Sequence, residues 1–439
     1  MKKNFIFTMA LLASFIPAIA QSNYDFYALS SSNDTLYYYL DNGNAVVTCP
    51  GDIDEEDYWP EGITQPQGEL VIDSEVTYNS TTYPVTAIGE YAFYGCSAIT
   101  SVSIPNTVTA IESYAFYNCS SMAAATIPDN VTNFGLYVFT HTALPDPIYK
   151  ESVFVYMPTS ATGVYTIPDQ ITKICGGAFY QCAGLTHVVL PNSVTEIGAG
   201  AFLECDGLTQ PIYNNTLFAR LPSTYSGSYT IPDGITTVCA SSFNYTSGLT
   251  ELIMPNSVTS MGNGALGSCT GLTSITLSEA LTGIPGFAFM GCTSLSTITL
   301  PASVSNIGYF AFRNCTALDT IVVKSTVPPS TTSMSFRGIP ESCILIVPCN
   351  TLSAYTESWD GIFAEILEDC NTIEGISTFE NPNIQIYAID GQIVVEGADG
   401  LEVRIFDYMG RGISNSSLLT GVYMVKVGNS PARKLAVVR

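Results

Sequence analysis

A β-rich α/β solenoid built from 23-residue coils, closed by a small C-terminal β-sandwich, is the fold this sequence predicts. Three observations carry it. A unit restarts nine times between Val85 and Thr326, at Val85, Val108, Val131, Ile171, Val194, Ile235, Val258, Leu281 and Val304. Its ninth position is Phe93, Phe116, Phe139, Phe179, Phe202, Phe243, Phe289 or Phe312, with Leu266 the one departure, and the position before it is nearly always Ala. Its second half alternates apolar and polar residues, as in Leu295-Ser296-Thr297-Ile298-Thr299-Leu300, before a Pro. A coil of this length cannot cover its own apolar face and must stack on its neighbours, so an elongated solenoid is expected rather than a globule.

The elements follow in chain order. Residues 1–20 combine Lys2 and Lys3, an apolar run from Phe5 to Ile16 and the small-residue site Ala18-Ile19-Ala20, the pattern of a secretory signal peptide. The chain is therefore expected to be exported, with no transmembrane helix, since no other apolar stretch nears the ~20 residues a span requires. Residues 21–84 lack the register, are rich in Tyr and Asp, and read as a β-rich N-terminal cap.

Within each unit of 85–326, the alternating, β-branched segment is expected to be a strand that Pro ends. The Ala-Phe-x-x-Cys segment is too short for a regular helix and predicts a single helical or 3₁₀ turn on the opposite side. Two units carry inserts near 147–169 and 211–233 that align without gaps. In each, a strand-like run (Val153–Tyr156, Leu217–Arg220), a polar turn and a second strand ending Tyr-Thr-Ile-Pro-Asp predict a protruding hairpin. After Thr326 the register stops. Residues 327–370, with the strand Ile344–Pro348 and a helical pattern through Leu352, Tyr355, Trp359 and Phe363, read as a C-terminal cap, and 376–439 as the β-sandwich.

Composition narrows the chemistry. The net charge is −24, and between residues 21 and 376 six basic side chains face 32 acidic ones, which disfavours nucleic acid and anionic lipid as partners. Seven of the 13 Cys (Cys96, Cys119, Cys182, Cys205, Cys269, Cys292, Cys315) share the twelfth position, and Cys175 and Cys239 share the fifth. An inward ladder of buried free thiols is expected, since parallel inward side chains make bridges between coils awkward.

No catalytic constellation is visible. Gly262-Asn263-Gly264-Ala265-Leu266-Gly267 matches G-x-G-x-x-G but lies inside a coil and opens no βαβ unit. His141 and His187 have no partner at metal-ligand spacing. The acidic run Asp52, Asp54, Glu55, Glu56, Asp57 reads as a solvated loop first and a weak Ca²⁺ site second. The chain is expected to be non-enzymatic, with no catalytic residue, metal or cofactor.

Binding is the remaining class. The outward strand positions seventeen and nineteen give a row that includes Ser101, Ser103, Thr126, His187, Glu251, Thr276, Thr297, Thr299 and Thr320, a candidate ligand face. The same residues also suit an exposed strand with no ligand at all. The aromatic residues of the inserts, Tyr149, Tyr156, Tyr213 and Tyr225, are candidate hairpin contacts.

The unit V-T-x-I-G-x-x-A-F-x-x-C-x-x-L-T-x-I-x-L-P, nearly intact from Leu281 to Pro301, resembles the BspA-like leucine-rich repeat family of exported bacterial proteins. Ile339-Pro340-Glu341-Ser342-Cys343 followed by Ile344–Pro348 looks like the end cap of that family. The tail, with Val403–Arg411, Leu419–Val427 and Arg433-Lys434, is similar to the C-terminal sorting domains of the Bacteroidetes type IX secretion pathway. These resemblances imply a cell-surface or secreted adhesin for a protein or glycan ligand outside the cell, handled by secretion machinery through its tail. A carbohydrate-binding accessory of a polysaccharide utilisation system is the alternative. The family supplies no motif-defined binding residues to transfer.

Overall fold

The computed structural model describes residues 24–363 and 365–369 and the tail strands 385–389, 392–396, 403–407, 412–413, 421–427 and 433–437. The signal segment expected at 1–20 lies outside them. The fold is a β-solenoid of 23-residue coils with almost no helix. The chain divides into two compact units, residues 1–225 with 234–246 and 262–265, and residues 226–233, 247–261 and 266–439.

In the first unit, the coils stack in parallel register. One ladder pairs Ala87 with Ala110 and Ala110 with Asn133. A second pairs Ser101 with Ala124 and Ser103 with Thr126. Each step equals one sequence repeat, so equivalent side chains sit above one another. The N-terminal segment is more than a cap: Asn44–Thr48 and Gly68–Val71 pair in parallel with Thr81–Ile88 and Ile99–Ser103, completing a coil the repeat motif does not mark.

The inserts are built differently from the expected hairpins. Val153–Tyr156 pairs antiparallel with Ile148–Lys150 and in parallel with Lys173–Ile174, while Gly163–Thr166 pairs in parallel with Leu185–Val189. The two predicted hairpin strands thus join two different ladders and close an additional coil. Leu217–Arg220 repeats the arrangement, antiparallel to Ile212–Tyr213 and parallel to Thr237–Val238. Phe154 stacks on Phe179 and Phe218 on Phe243, each at 4.8 Å between ring centroids, so the inserts also extend the phenylalanine column. Burying that ring, with Phe154 and Phe218 fully buried, is what pulls the segment into the stack.

In the second unit, Glu251 pairs with Ser274 and Thr297 with Thr320 in the same 23-residue register. Stacking continues past Thr326. Thr320 pairs with Ile344, Ile344 with Glu365, and Phe336 stacks on Phe312 at 5.5 Å with parallel planes. Leu352–Ser358 is the single α-helix among the described residues, and its Tyr355 and the Trp359 that ends it are buried. The tail strands form one antiparallel pair, Gln385–Ile389 with Gln392–Glu396, and a four-stranded antiparallel sheet.

The expected helical turn is absent for a backbone reason. Position seven of all nine repeats (Tyr91, Tyr114, Tyr137, Gly177, Gly200, Ser241, Gly264, Phe287, Phe310) has φ between 54° and 71°. Position eleven (Gly95, Asn118, His141, Gln181, Glu204, Tyr245, Ser268, Gly291, Asn314) has φ between 58° and 73°. Two left-handed residues four apart interrupt any right-handed helix. The zigzag sends alternate N–H groups to the next coil: Tyr91, Phe93 and Gly95 donate to the carbonyls of Ser113, Ala115 and Tyr117.

Candidate functional site

The thiol ladder is the innermost layer. All seven position-twelve cysteines are buried thiols outside any disulfide. Cys119, Cys205, Cys292 and Cys315 aim Sγ at the position-nine carbonyl of the preceding coil, at 3.2, 2.9, 3.2 and 3.1 Å. Burial pushes the Cys119, Cys205 and Cys315 thiols up to about 12. Such thiols are structural donors and poor nucleophiles at neutral pH.

The strand face is where the sequence placed ligand contact. In the first unit the pairing sets Ser101 beside Glu69, Ser103 beside Thr126, and His187 beside Val164. In the second it sets Thr276 beside Ile253 and Thr299 beside Val322, and Glu251 accepts a 2.8 Å bond from the Ser228 hydroxyl. Thr126 and Thr276 are exposed, and Ser101, Ser103, His187, Glu251, Thr297 and Thr299 are half-buried.

Two expected contacts are buried instead. Thr320 is 4 % exposed because the outward positions of its sheet have turned apolar: Val322 pairs with Ile346, both are buried, and the tail strand Arg433–Val437 approaches the sheet's edge strand Glu365–Asp369. Tyr156 is 3 % exposed, its ring edge-on to Phe139 at 6.5 Å, because its strand belongs to the stack rather than to a free hairpin. Tyr149 and Tyr213 remain exposed, each lying over the buried ring that anchors its insert, Phe154 or Phe218, at 6.2 Å. Tyr225 is half-buried. The acidic run Asp52–Asp57 is an exposed turn closed by a bond from the Asp57 N–H to the Asp52 carbonyl at 3.1 Å.

The turn side of the first unit carries what sequence reasoning missed. Tyr91, Tyr114 and Tyr137 stack face to face at 5.0 and 5.4 Å, and Tyr94 stacks on Tyr117 at 5.1 Å. Tyr117 meets His141 at 5.1 Å, and His141 meets Tyr180 at 5.7 Å. The row then becomes polar. His141 Nε2 lies 2.8 Å from Gln181 Oε1, and the Gln181 amide and the Tyr180 hydroxyl both donate to the Glu204 carboxylate, at 2.7 and 3.1 Å. Glu204 borders a cavity of about 250 Å³ that Asp206, Arg220, Ser223 and Tyr245 also line. The legible signal was Tyr-Ala-Phe-Tyr, repeated at Tyr91–Tyr94 and Tyr114–Tyr117 and read only through its central Ala-Phe.

Against this geometry, the BspA type leucine rich repeat region matches residues 73–158, 150–227 and 223–338, in six copies. The chain belongs to the BspA-type leucine-rich repeat family. Solved structures similar to this BspA-type chain include a leucine rich cell surface protein from Faecalibacterium prausnitzii, 25 % identical over 80 % of this chain and 96 % of that one, TM-score 0.40. Another is a leucine-rich repeat protein from Bacteroides ovatus, 24 % identical over 79 % and 100 %, TM-score 0.31. A third is the pneumococcal vaccine antigen PcpA, 16 % identical over 79 % and 100 %, TM-score 0.39. No curated protein matches the chain. Among the described residues, no helix is long and apolar enough to cross a membrane.

Proposed function

We propose that this chain is a non-enzymatic, exported surface protein that binds a host or microbial macromolecule outside the cell, in the manner of an adhesin. The observation that carries the reading is the outward strand row of the solenoid. Hydroxyl side chains recur there, at Ser101, Ser103 and Thr126 in one unit and at Ser274, Thr276, Thr297 and Thr299 in the other, interrupted by Ala124, Ile253 and Val322. Such a row makes many small contacts along an extended partner. Membership of the BspA-type family supports a surface setting. The tail resembling a type IX sorting domain supplies the route: recognition by secretion machinery, passage across the outer membrane, then attachment or release.

The reading is tested by coating purified full-length protein and measuring adhesion of host matrix proteins and neighbouring bacteria. Replacement of Thr126 and Thr276 by Lys, on exposed strand positions, is expected to abolish binding without lowering the melting temperature. Undiminished adhesion by the double variant would reject the strand face. Surface fractionation of full-length and tail-deleted protein tests the export route, with loss of surface protein expected on deletion.

A carbohydrate-binding accessory role is the second reading. One observation favours it, the row of partly exposed rings on the turn side of the first unit.

A further inference from the structure

We infer that the turn side of the first unit is a neutral-glycan site, in which the cavity between Glu204 and Tyr245 takes one sugar ring and the row Tyr94, Tyr117 and His141 carries the adjoining sugars. The inference rests on the carbohydrate reading above and is independent of the strand face.

The cavity exists because of the second insert. The two inserts align residue for residue, so Arg220 and Ser223 occupy the places held by Tyr156 and Thr159 in the first. There, Tyr156 turns its ring into the core against Phe139 and is 3 % exposed. Arg220 is equally buried, but it is a charged donor lining a cavity, anchored by a 2.8 Å bond from Nη1 to the Ser241 carbonyl. Glu204 and Tyr245 both stand on the left-handed position eleven of their coils, with φ 58° and 62°.

The lining selects the ligand class. Glu204 and Asp206 carry acceptor oxygens, as does Ser223, whose proton goes to Asp206, while the Arg220 guanidinium and the Tyr245 phenol carry N–H and O–H groups. A sugar hydroxyl both donates and accepts, so a ring bearing several hydroxyls satisfies both sets. An acidic sugar would face two carboxylates against one guanidinium, on a chain of net charge −24. An ammonium group would meet the carboxylates but also the guanidinium. A volume of about 250 Å³ is just below the ~300–1,000 Å³ typical of drug-sized ligands, which suits a single ring.

The site is already ordered. Glu204 is held by Tyr180 and Gln181, and Asp206 accepts the Ser223 hydroxyl at 2.8 Å, so little side-chain freedom is lost on binding. The Tyr245 ring is 39 % exposed and offers an apolar face to the C–H side of a sugar. Beyond Glu204, the half-buried Tyr117 and His141 rings, 5.1 Å apart, continue the surface to Tyr94. A chain of several sugars can therefore span cavity and rings.

The test is calorimetric titration of the full chain with neutral gluco-, manno-, xylo- and N-acetylglucosamine oligosaccharides of two to six sugars. Saturable binding of at least one series is expected, tightening with chain length. Asp206→Asn and Tyr245→Ala should each weaken it about tenfold, the loss of one hydrogen bond to a charged group or of one stacking face. Tyr117→Ala should weaken the long oligosaccharides more than the short. Melting curves accompany each variant, and Tyr245→Phe, which keeps the ring, should retain most of the affinity. Absence of binding across all four series, undiminished binding by folded Asp206→Asn and Tyr245→Ala, or binding only of lysine-rich peptides would overturn the site. The titration reads the cavity alone, whereas adhesion with Thr126 and Thr276 replaced reads the strand face, so either can fail without the other.

Discussion

Left-handed residues at positions seven and eleven decide which side chains each turn tolerates. An L-residue pays about 1–2 kcal/mol to sit there, and glycine pays nothing. Gly95 has φ 73° and open space where a Cβ would lie, so Gly95→Ala should cost only that strain, about 1–2 kcal/mol in a denaturant titration. Gly177 has φ 71° and would drive its Cβ into the Tyr137 ring, so Gly177→Ala should cost clearly more. Equal losses at the two sites would contradict the close approach. Tyr91, Tyr114 and Tyr137 accept the strain while stacking on one another, which offsets part of it. None of this was legible in the sequence. The repeat showed that position seven varies among Tyr, Gly, Ser and Phe, but variation in residue type does not reveal a shared φ.

The same scale governs the thiols. Their folded-state pKa lies near 12 for Cys119, Cys205 and Cys315, against the ordinary thiol value near ~8.5 in an unfolded chain. Between those values the folded protein keeps protons that the unfolded chain releases, so this stabilisation is complete below about pH 8 and is lost as pH rises toward 12. Denaturation midpoints measured from pH 8 to pH 11 should fall, and fall less steeply in a Cys119→Ala, Cys205→Ala double variant. Identical slopes would contradict the burial of these groups. Native protein should also resist alkylation at the seven ladder positions until it is unfolded. Their burial was legible, because one phase repeats seven times. Their bond to the preceding coil's carbonyl was not, because it needs the 26-residue offset that only stacking creates.

At the scale of the element, the coil is set by what its phenylalanine touches. Phe179 lies between Phe154 and Phe202 at 4.8 Å on each side and is fully buried, so Phe179→Ala should cost about 3–5 kcal/mol. Phe154→Ala is expected to cost a similar amount by removing the ring that holds the insert in the column. A loss under about 1 kcal/mol would mean that the insert is a free hairpin after all. The sequence made the repeat strands readable through period-two alternation, and the inserts' strands as well. Their pairing partners were not readable, since a short β-branched run fits an antiparallel neighbour and a parallel one equally. Phe154 and Phe218 fall outside the nine-fold register, which hid their membership in the column. The coils formed by Asn44–Thr48 and Ser333–Phe336 were hidden for the same reason: an end coil needs the shape of its neighbour on one side only, so its sequence is free to drift.

Over the whole molecule, acidity is the dominant bulk property. Burial, then the neighbouring Glu112 charge, raises the Glu90 carboxyl, and burial raises Glu112 and Asp319. A carboxyl raised in the folded state contributes stability below its unfolded pKa, and that stability is lost as pH climbs through the folded value. Together with relief of self-repulsion at net charge −24, this predicts a higher melting temperature at pH 5.5 than at pH 7.5. A lower one would show that carboxylates held below their usual range dominate. Solenoid class and repeat register were legible because each of nine units restates them. The candidate surfaces were only half legible: Thr126 and Thr276 face solvent as the alternation requires, whereas Thr320 is covered where the outward row turns apolar at Val322 and Ile346. The Glu204 cavity was invisible, because its five residues come from two coils and the insert between them.

The proposed binding through the strand face is tested most directly by adhesion of purified full-length protein to host matrix proteins and bacterial cells, wild type against Thr126→Lys, Thr276→Lys. Wild-type binding that is saturable and lost in a double variant of unchanged melting temperature is the predicted result. Equal binding by both proteins would contradict it.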